Sequence, residues 1–181
     1  MKTERWKIAL HESGHAVSAI VLGGRCDGVA LLDEDSGLCQ TSELLGNRDA
    51  YCIAAGPAAE RLAEEYPSPD CTRPESRTLT VDEIEQLPLF DTARLVACQM
   101  ARTADTRRKF SSDDRLLAEW AISGNESDPE SWARRVAYAH EMAAEIVEKN
   151  AATIARIAEQ LFVRGSLAES EVKTLFEGKP E

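Results

Sequence analysis

The first run of apolar residues recurs at the spacing of a helix that is buried on much of its surface. Between residues 4 and 22 the apolar positions follow the three-to-four-residue period of an α-helix. They are Trp6, Ile8, Ala9, Leu10, Ala16, Val17, Ile20 and Val21. Gly23 and Gly24 follow directly, and glycine commonly ends a helix because it adopts a left-handed backbone freely. The pattern therefore predicts a helix over residues 4–22.

A short β-hairpin is predicted next, over residues 28–42. Two apolar runs, at residues 28–32 and 38–41, flank the segment Asp33–Gly37. Asp, Ser and Gly at such a position favour a tight reversal of the chain.

Helical patterns account for the remainder, residues 47–177. The predicted helix over residues 47–65 contains Gly56 and Pro57, and we expect a kink or a break there because proline removes an interior hydrogen bond. A Pro- and Ser-rich stretch, residues 66–80, predicts a loop. Further helices are expected from about residue 80 and at residues 91–102, 113–122, 129–149, 151–163 and 169–176. The fold class expected is α+β, mainly α with a small β-sheet.

Size and composition exclude several classes of protein. The length of 181 residues is that of one domain, so residues 1–181 are treated as a single unit. The 21 Lys and Arg against 32 Asp and Glu give a net charge of −11. This balance argues against nucleic-acid binding, because that role needs a basic surface. No apolar run approaches the roughly 20 residues of a membrane-spanning helix, so membrane insertion is not expected.

Cysteine usage points to a reducing compartment. The five cysteines are Cys26, Cys39, Cys52, Cys71 and Cys98. An odd number of scattered cysteines without a CxxC pair is typical of free thiols rather than of a disulfide framework. This pattern predicts a cytoplasmic location.

Residues 11–15 form the sequence HExxH within the first predicted helix. Residues i and i+4 share one face of a helix, so His11 and His15 can bind the same metal ion. Zn²⁺ suits two imidazoles, a third protein ligand and an open position for water. Glu12 can then act as the general base for that water. The motif predicts a zinc-dependent metallopeptidase, which hydrolyses peptide bonds.

The alternative interpretation is that these polar side chains are satisfied core residues. Two of the chain's three histidines fall in the motif, within an apolar helix where an unpartnered polar group is costly. Gly14 lies in the middle of the helix, at a cost of about 1 kcal/mol relative to alanine, which indicates a close approach to the backbone. Both features favour the metal site. The third ligand is left open between a carboxylate on a later helix and His140.

Four segments resemble the peptidase domain of FtsH-type ATP-dependent proteases, in the same order along the chain. Residues 8–17, IALHESGHAV, are similar to the zinc helix of that family, and residues 55–60, AGPAAE, to a helix that begins with glycine. Residues 112–114, SDD, lie where the family places an aspartate ligand at a helix start. Residues 154–167 resemble its closing helices. The likeness extends over residues 6–176 and implies an FtsH-like zinc peptidase fold.

The resemblance also implies a ligand set. His11 and His15 correspond to zinc ligands and Glu12 to the general base. The aspartate is Asp113 or Asp114, and Asp113 is preferred because it places apolar or small residues at 117, 118, 120 and 121 as the family helix does. The other aspartate would then cap the helix or support a ligand.

Three further expectations follow. Glu60 is a lesser candidate for the third ligand, since a downstream glutamate serves in other zinc peptidases. The strand at residues 38–41 is expected to be a sheet edge that docks an extended polypeptide substrate across the zinc. A zinc-binding adaptor domain that binds peptides without cleaving them is the alternative function.

The chain departs from the FtsH pattern outside the peptidase domain. Ten residues precede His11 in this sequence, so a membrane anchor or an ATPase module ahead of the peptidase domain is not expected, and the sequence has no GxxxxGKS/T phosphate-binding loop. ATP-driven unfolding is therefore not expected of this chain. Delivery of substrate by a separate unfoldase and assembly into a homo-oligomer are both left open.

Overall fold

The computed structural model describes residues 2–32, 36–69, 112–124 and 129–178 of the chain. The helices predicted from about residue 80 and at residues 91–102, and most of the predicted loop at residues 66–80, lie outside these ranges. None of the described helices is long and apolar enough to cross a membrane.

The described residues form six α-helices, one 3₁₀ helix and three β-strands. In chain order they are α1 (Lys2–Val21), β1 (Arg25–Leu31), β2 (Gly37–Ser42), α2 (Asn47–Ala59), the 3₁₀ helix (Glu60–Glu64), α3 (Ser112–Ile122), α4 (Pro129–Lys149), α5 (Ala151–Arg164), β3 (Ser166–Ala168) and α6 (Glu169–Glu177). The expected fold class, mainly α with a small β-sheet, is confirmed.

The strands form one antiparallel sheet in the order β2–β1–β3. The hairpin pairs β1 with β2 from Arg25 opposite Ser42 to Leu31 opposite Gly37, with Asp27 as an extra residue in a β-bulge. β2 is therefore an edge of the described sheet. The third strand was not predicted, because three residues directly after a helix give too short a pattern to recognise.

α1 lies at the centre of the fold and packs against α2, α5, β1 and β2. Its apolar residues Ala9, Leu10, Ala16 and Val17 are completely buried. Near its start, the Trp6 ring meets Phe162 edge-on with ring centroids 5.8 Å apart. Packing on several faces holds α1 in place, so the backbone that carries the HExxH side chains has a fixed position.

α2 continues through Pro57 and ends only at Ala59, where the chain tightens into the 3₁₀ helix. Of the two outcomes predicted at Gly56–Pro57, a kink or a break, the break is therefore wrong. Proline removes one interior hydrogen bond, and the packing of α2 against α1 and α4 keeps the helix intact nevertheless.

Gly14 permits the close contact between α1 and α2. A Cβ atom at Gly14 would lie 2.6 Å from the Ala59 Cβ and 2.7 Å from the Ala55 carbonyl oxygen. The Ala55 oxygen belongs to the helix backbone and the Ala59 Cβ to a very short side chain, so neither atom can move out of the way. The expected close approach to Gly14 is therefore that of α2.

Candidate metal centre

His11 and His15 project from α1 towards α2 and the start of α3. Their rings lie 4.8 Å apart, centroid to centroid, at an angle of 80°. This nearness follows from their i, i+4 spacing on one helix face. Their side chains are only 19% and 12% exposed. The two imidazoles therefore converge in a largely enclosed place.

Asp113, in the first turn of α3, brings a carboxylate to both imidazoles. Its Oδ2 atom lies 2.9 Å from His11 Nε2 and 3.4 Å from His15 Nε2. One ligand atom of each residue lies within 4.8 Å of the other two. Asp113 is buried, whereas Asp114 is exposed. The geometry thus brings Asp113 to the histidines.

The cluster fits a metal ion in its chemistry and in its space. Two imidazoles and a carboxylate form a donor set found in catalytic zinc sites. A Cβ atom at Gly56 would lie 2.4 Å from His15 Nε2 and 2.6 Å from His11 Nε2. Glycine at this position of α2 therefore keeps the region beside the two nitrogens open. The three residues could hold a metal ion.

Each imidazole is also held at its second nitrogen. His11 Nδ1 donates to Glu60 Oε1 at 2.7 Å, and His15 Nδ1 donates to the Cys52 carbonyl oxygen at 2.8 Å. The Cys52 thiol in turn donates to the His15 carbonyl oxygen at 3.4 Å. Histidines that bind metals usually donate their second N–H to a carboxylate or a carbonyl. These bonds orient both Nε2 atoms towards Asp113.

Pairing sets the ionisation of the three residues. Burial lowers the pKa of His11, but hydrogen bonds to Asp113 and Glu60 outweigh it and raise the pKa to about 9. The pKa of His15 is raised well above its usual value, since its bonds to Asp113 and Cys52 outweigh burial. Burial acts to raise the pKa of Asp113, but the two histidines hold it far below its usual range. Positive charge next to Asp113 therefore stabilises its buried carboxylate, and a bound cation could supply that charge as well as the imidazoles.

Glu12 lies beside the cluster and against the hairpin. It is 7% exposed, and a Cβ atom at Gly37 would lie 2.5 Å from its Cγ and 2.7 Å from its Oε1. Burial raises the pKa of Glu12, although the charges of His15 and His11 oppose the shift. A carboxyl group with a raised pKa can hold a proton that it has accepted.

The two other candidate ligands, Glu60 and His140, are not part of the cluster of His11, His15 and Asp113. Glu60 contacts His11 at Nδ1, the nitrogen opposite the one that faces Asp113, so the structure places it as a hydrogen-bond partner of His11. His140 is exposed on α4. Sequence reasoning missed the roles of Gly37, Gly56 and Cys52. Only Gly56 left a signal, since it lies within the AGPAAE segment.

Comparison with known proteins supports the class of this domain. The model of a family described as Peptidase M50B-like matches residues 4–63, about a third of the chain. The matched part holds the HExxH motif, the hairpin and α2, but not Asp113. The match supports a metallopeptidase-type domain, and its family is not that of the FtsH-type proteases. Among curated proteins, none matches the chain.

The role of Glu60 can be tested by Glu60→Gln. The neutral amide is a weaker acceptor for the His11 N–H, and loss of such a support typically lowers metal affinity about 10- to 100-fold. Affinity is measured by competition with a chelator. The matched control is Glu64→Gln, an exposed position of the same 3₁₀ helix, which should leave affinity unchanged. Equal affinities for both variants would contradict the assignment.

The choice between the adjacent aspartates can be tested by a pair of variants. Asp113→Asn removes the charge that faces both histidines and should abolish stoichiometric metal binding. Asp114→Asn alters an exposed residue and should retain it. Metal content after gel filtration decides between them, with circular dichroism as the check on folding. The reverse result would make Asp114 the ligand.

Proposed function

We propose that this chain is a zinc-dependent metallopeptidase that hydrolyses peptide bonds in polypeptides. In this proposal His11, His15 and Asp113 bind the zinc, and Glu12 is the general base. The observation that carries it is the convergence of two imidazoles and one buried carboxylate beside the buried carboxyl of the same HExxH motif. The match to a peptidase family supports the same class.

The side chains divide the chemistry among them. Zinc, when bound, would acidify a water molecule and polarise the substrate carbonyl. Glu12 would accept a proton from the water and hand it to the leaving amine, and its burial favours holding that proton in between. Glu60 and the Cys52 carbonyl would keep the imidazoles in their binding orientation.

The edge strand β2 supports binding of an extended polypeptide. It lies at one side of the described sheet, and its first residue, Gly37, touches Glu12. An extended segment added to this edge would form backbone hydrogen bonds and pass beside Glu12. Recognition through the backbone depends little on side chains, so unfolded or flexible chains are the expected substrates.

A zinc-binding adaptor without catalysis fits the site less well. Structural zinc sites generally use four protein ligands, whereas catalytic sites use three and keep one position open. The cluster among the described residues has three members. The buried Glu12 beside it would have no purpose in a purely structural site.

The likeness to FtsH-type peptidases is part of the proposal, and three features of the site support it. An aspartate at a helix start faces the two histidines. The glycine of the AGPAAE segment lies beside both imidazoles, and its glutamate contacts His11. We also propose that the chain forms a single domain and works in the cytoplasm, in keeping with the free thiols of Cys26, Cys39 and Cys52.

The decisive experiment on the function is Glu12→Gln. The amide has the same shape but cannot accept the proton, so cleavage of an unfolded protein such as casein should fall by about 10²- to 10⁴-fold. Zinc content should equal that of the unaltered protein, because Glu12 is not a ligand. Full activity in the variant, or loss of zinc together with activity, would contradict the assigned role.

Docking along β2 can be tested by Thr41→Pro. The direction of backbone N–H groups alternates along a strand, and Leu32 N–H donates to the Ser36 carbonyl, so Gln40 faces β1 and Thr41 faces the open edge. Proline removes one backbone N–H from the edge, and a lost hydrogen bond of about 1 kcal/mol lowers kcat/KM roughly fivefold. Zinc content and the unfolding midpoint serve as controls on the fold. A short substrate that does not reach β2 should be cleaved at the original rate. An unchanged kcat/KM for long polypeptides would refute this mode of binding.

A further inference from the structure

Two thiols meet on the face of the hairpin that packs against α1. The Sγ atoms of Cys26 in β1 and Cys39 in β2 are 3.8 Å apart. Cys26 pairs with Thr41, two residues beyond Cys39 on β2. Residues two apart on a strand point to the same face. The two cysteines therefore face each other on a diagonal of the sheet, next to the bulge at Asp27.

This pair borders the proposed base. Gly37 and Cys39 are also two residues apart on β2, and Gly37 is in contact with the Glu12 side chain. Cys39 packs against the core cluster that includes α1. A movement of this part of β2 would therefore change the contact between Gly37 and the Glu12 side chain.

We propose that Cys26 and Cys39 form a dithiol–disulfide site, oxidised by small-molecule disulfides, whose closure fixes β2 to β1 and slows the peptidase. The effect on cleavage rests on the proposed function, whereas formation of the bond does not.

The two cysteines divide the exchange reaction according to their exposure. Cys39 is the less buried residue of the two and is assigned the first attack, while Cys26 is 2% exposed. The Cys39 thiolate attacks one sulfur of the small disulfide, which yields a mixed disulfide and releases one small thiol. The Cys26 thiolate then attacks the Cys39 sulfur and expels the second small thiol. In total, two protons and two electrons pass from the two protein thiols to the small disulfide, which leaves as two small thiols.

Formation of the Cys26–Cys39 disulfide must move the edge strand β2. Bonded sulfurs lie about 2.05 Å apart, so the two atoms approach each other by roughly 1.7 Å. Part of this shift falls on β2, because β1 is held between two neighbouring strands. A displacement of about 1 Å near reacting groups can cost up to 100-fold in rate. A slower peptidase is the expected result.

The thiols respond slowly. The contact with Cys26 and burial raise the pKa of Cys39 well above its usual value, so little thiolate is present. The thiolate is the attacking species, so oxidation of the pair is slow. The disulfide therefore forms only when oxidising conditions persist. The experiment therefore needs redox buffers and long incubation.

The bond is tested by peptide mapping of the full chain. Protein is brought to equilibrium in mixtures of reduced and oxidised glutathione, and free thiols are then alkylated and the peptides identified by mass spectrometry. We expect one linked pair, Cys26–Cys39, with Cys52 alkylated, and reversal by dithiothreitol. A link to Cys52, a lasting glutathione adduct on Cys39, or no oxidation of the pair would overturn the proposal. A Cys71→Ser, Cys98→Ser background, mapped in parallel, removes other pairings.

Cleavage rates test the consequence. The oxidised protein should cleave casein about tenfold more slowly than the reduced protein, and dithiothreitol should restore the rate. In Cys39→Ser the two conditions should give the same rate, and thermal unfolding verifies that the variant is folded. Equal rates for the oxidised and reduced unaltered protein would overturn the regulatory part. Peptide mapping needs no activity, so failure of the peptidase function and failure of the bond are read separately.

Discussion

The close contact between α1 and α2 is the constraint on which the candidate site depends. Gly14 lets the backbone of α1 approach Ala55 and Ala59, within a distance that any side chain would fill. One residue after Ala55, Gly56 leaves the space beside both imidazole Nε2 atoms free. With α2 this near, the Cys52 carbonyl reaches His15 and the following 3₁₀ helix brings Glu60 to His11. A wider separation would lose all of these contacts together.

The third member of the cluster depends on how α3 is anchored. Asp113, Leu117 and Ala121 are spaced by four residues, so they share one face of α3. Leu117 and Ala121 are almost completely buried, and their packing turns the Asp113 carboxylate inward. A buried carboxylate requires compensation by positive charge. Two imidazoles contact the carboxylate and can supply this charge when protonated, and the same three residues could bind a metal ion that supplies it.

Local patterns in the sequence were sufficient to predict the described helices and to single out the HExxH motif as a candidate site. The bounds of α4, for example, agree with the apolar period and with proline at its first position. Contacts between distant segments were harder to predict from the sequence. Nothing in the local pattern shows that Glu60 meets the far nitrogen of His11, because that depends on how closely α2 packs. For Asp113 and Asp114, adjacent positions on a helix point about 100° apart, so apolar residues one and two turns further on indicate which one faces inward.

The order of elements explains why one short stretch carries most of the proposed machinery. α1 presents the imidazoles and Glu12, and the hairpin then returns to place Gly37 against Glu12. The next helix, α2, supports the imidazoles from behind. All of this lies within residues 11–60, nearly the same range that matches the peptidase family model. Only Asp113 comes from a distant segment, so the matched part supplies the candidate base and two of the three candidate ligands, and α3 supplies the third.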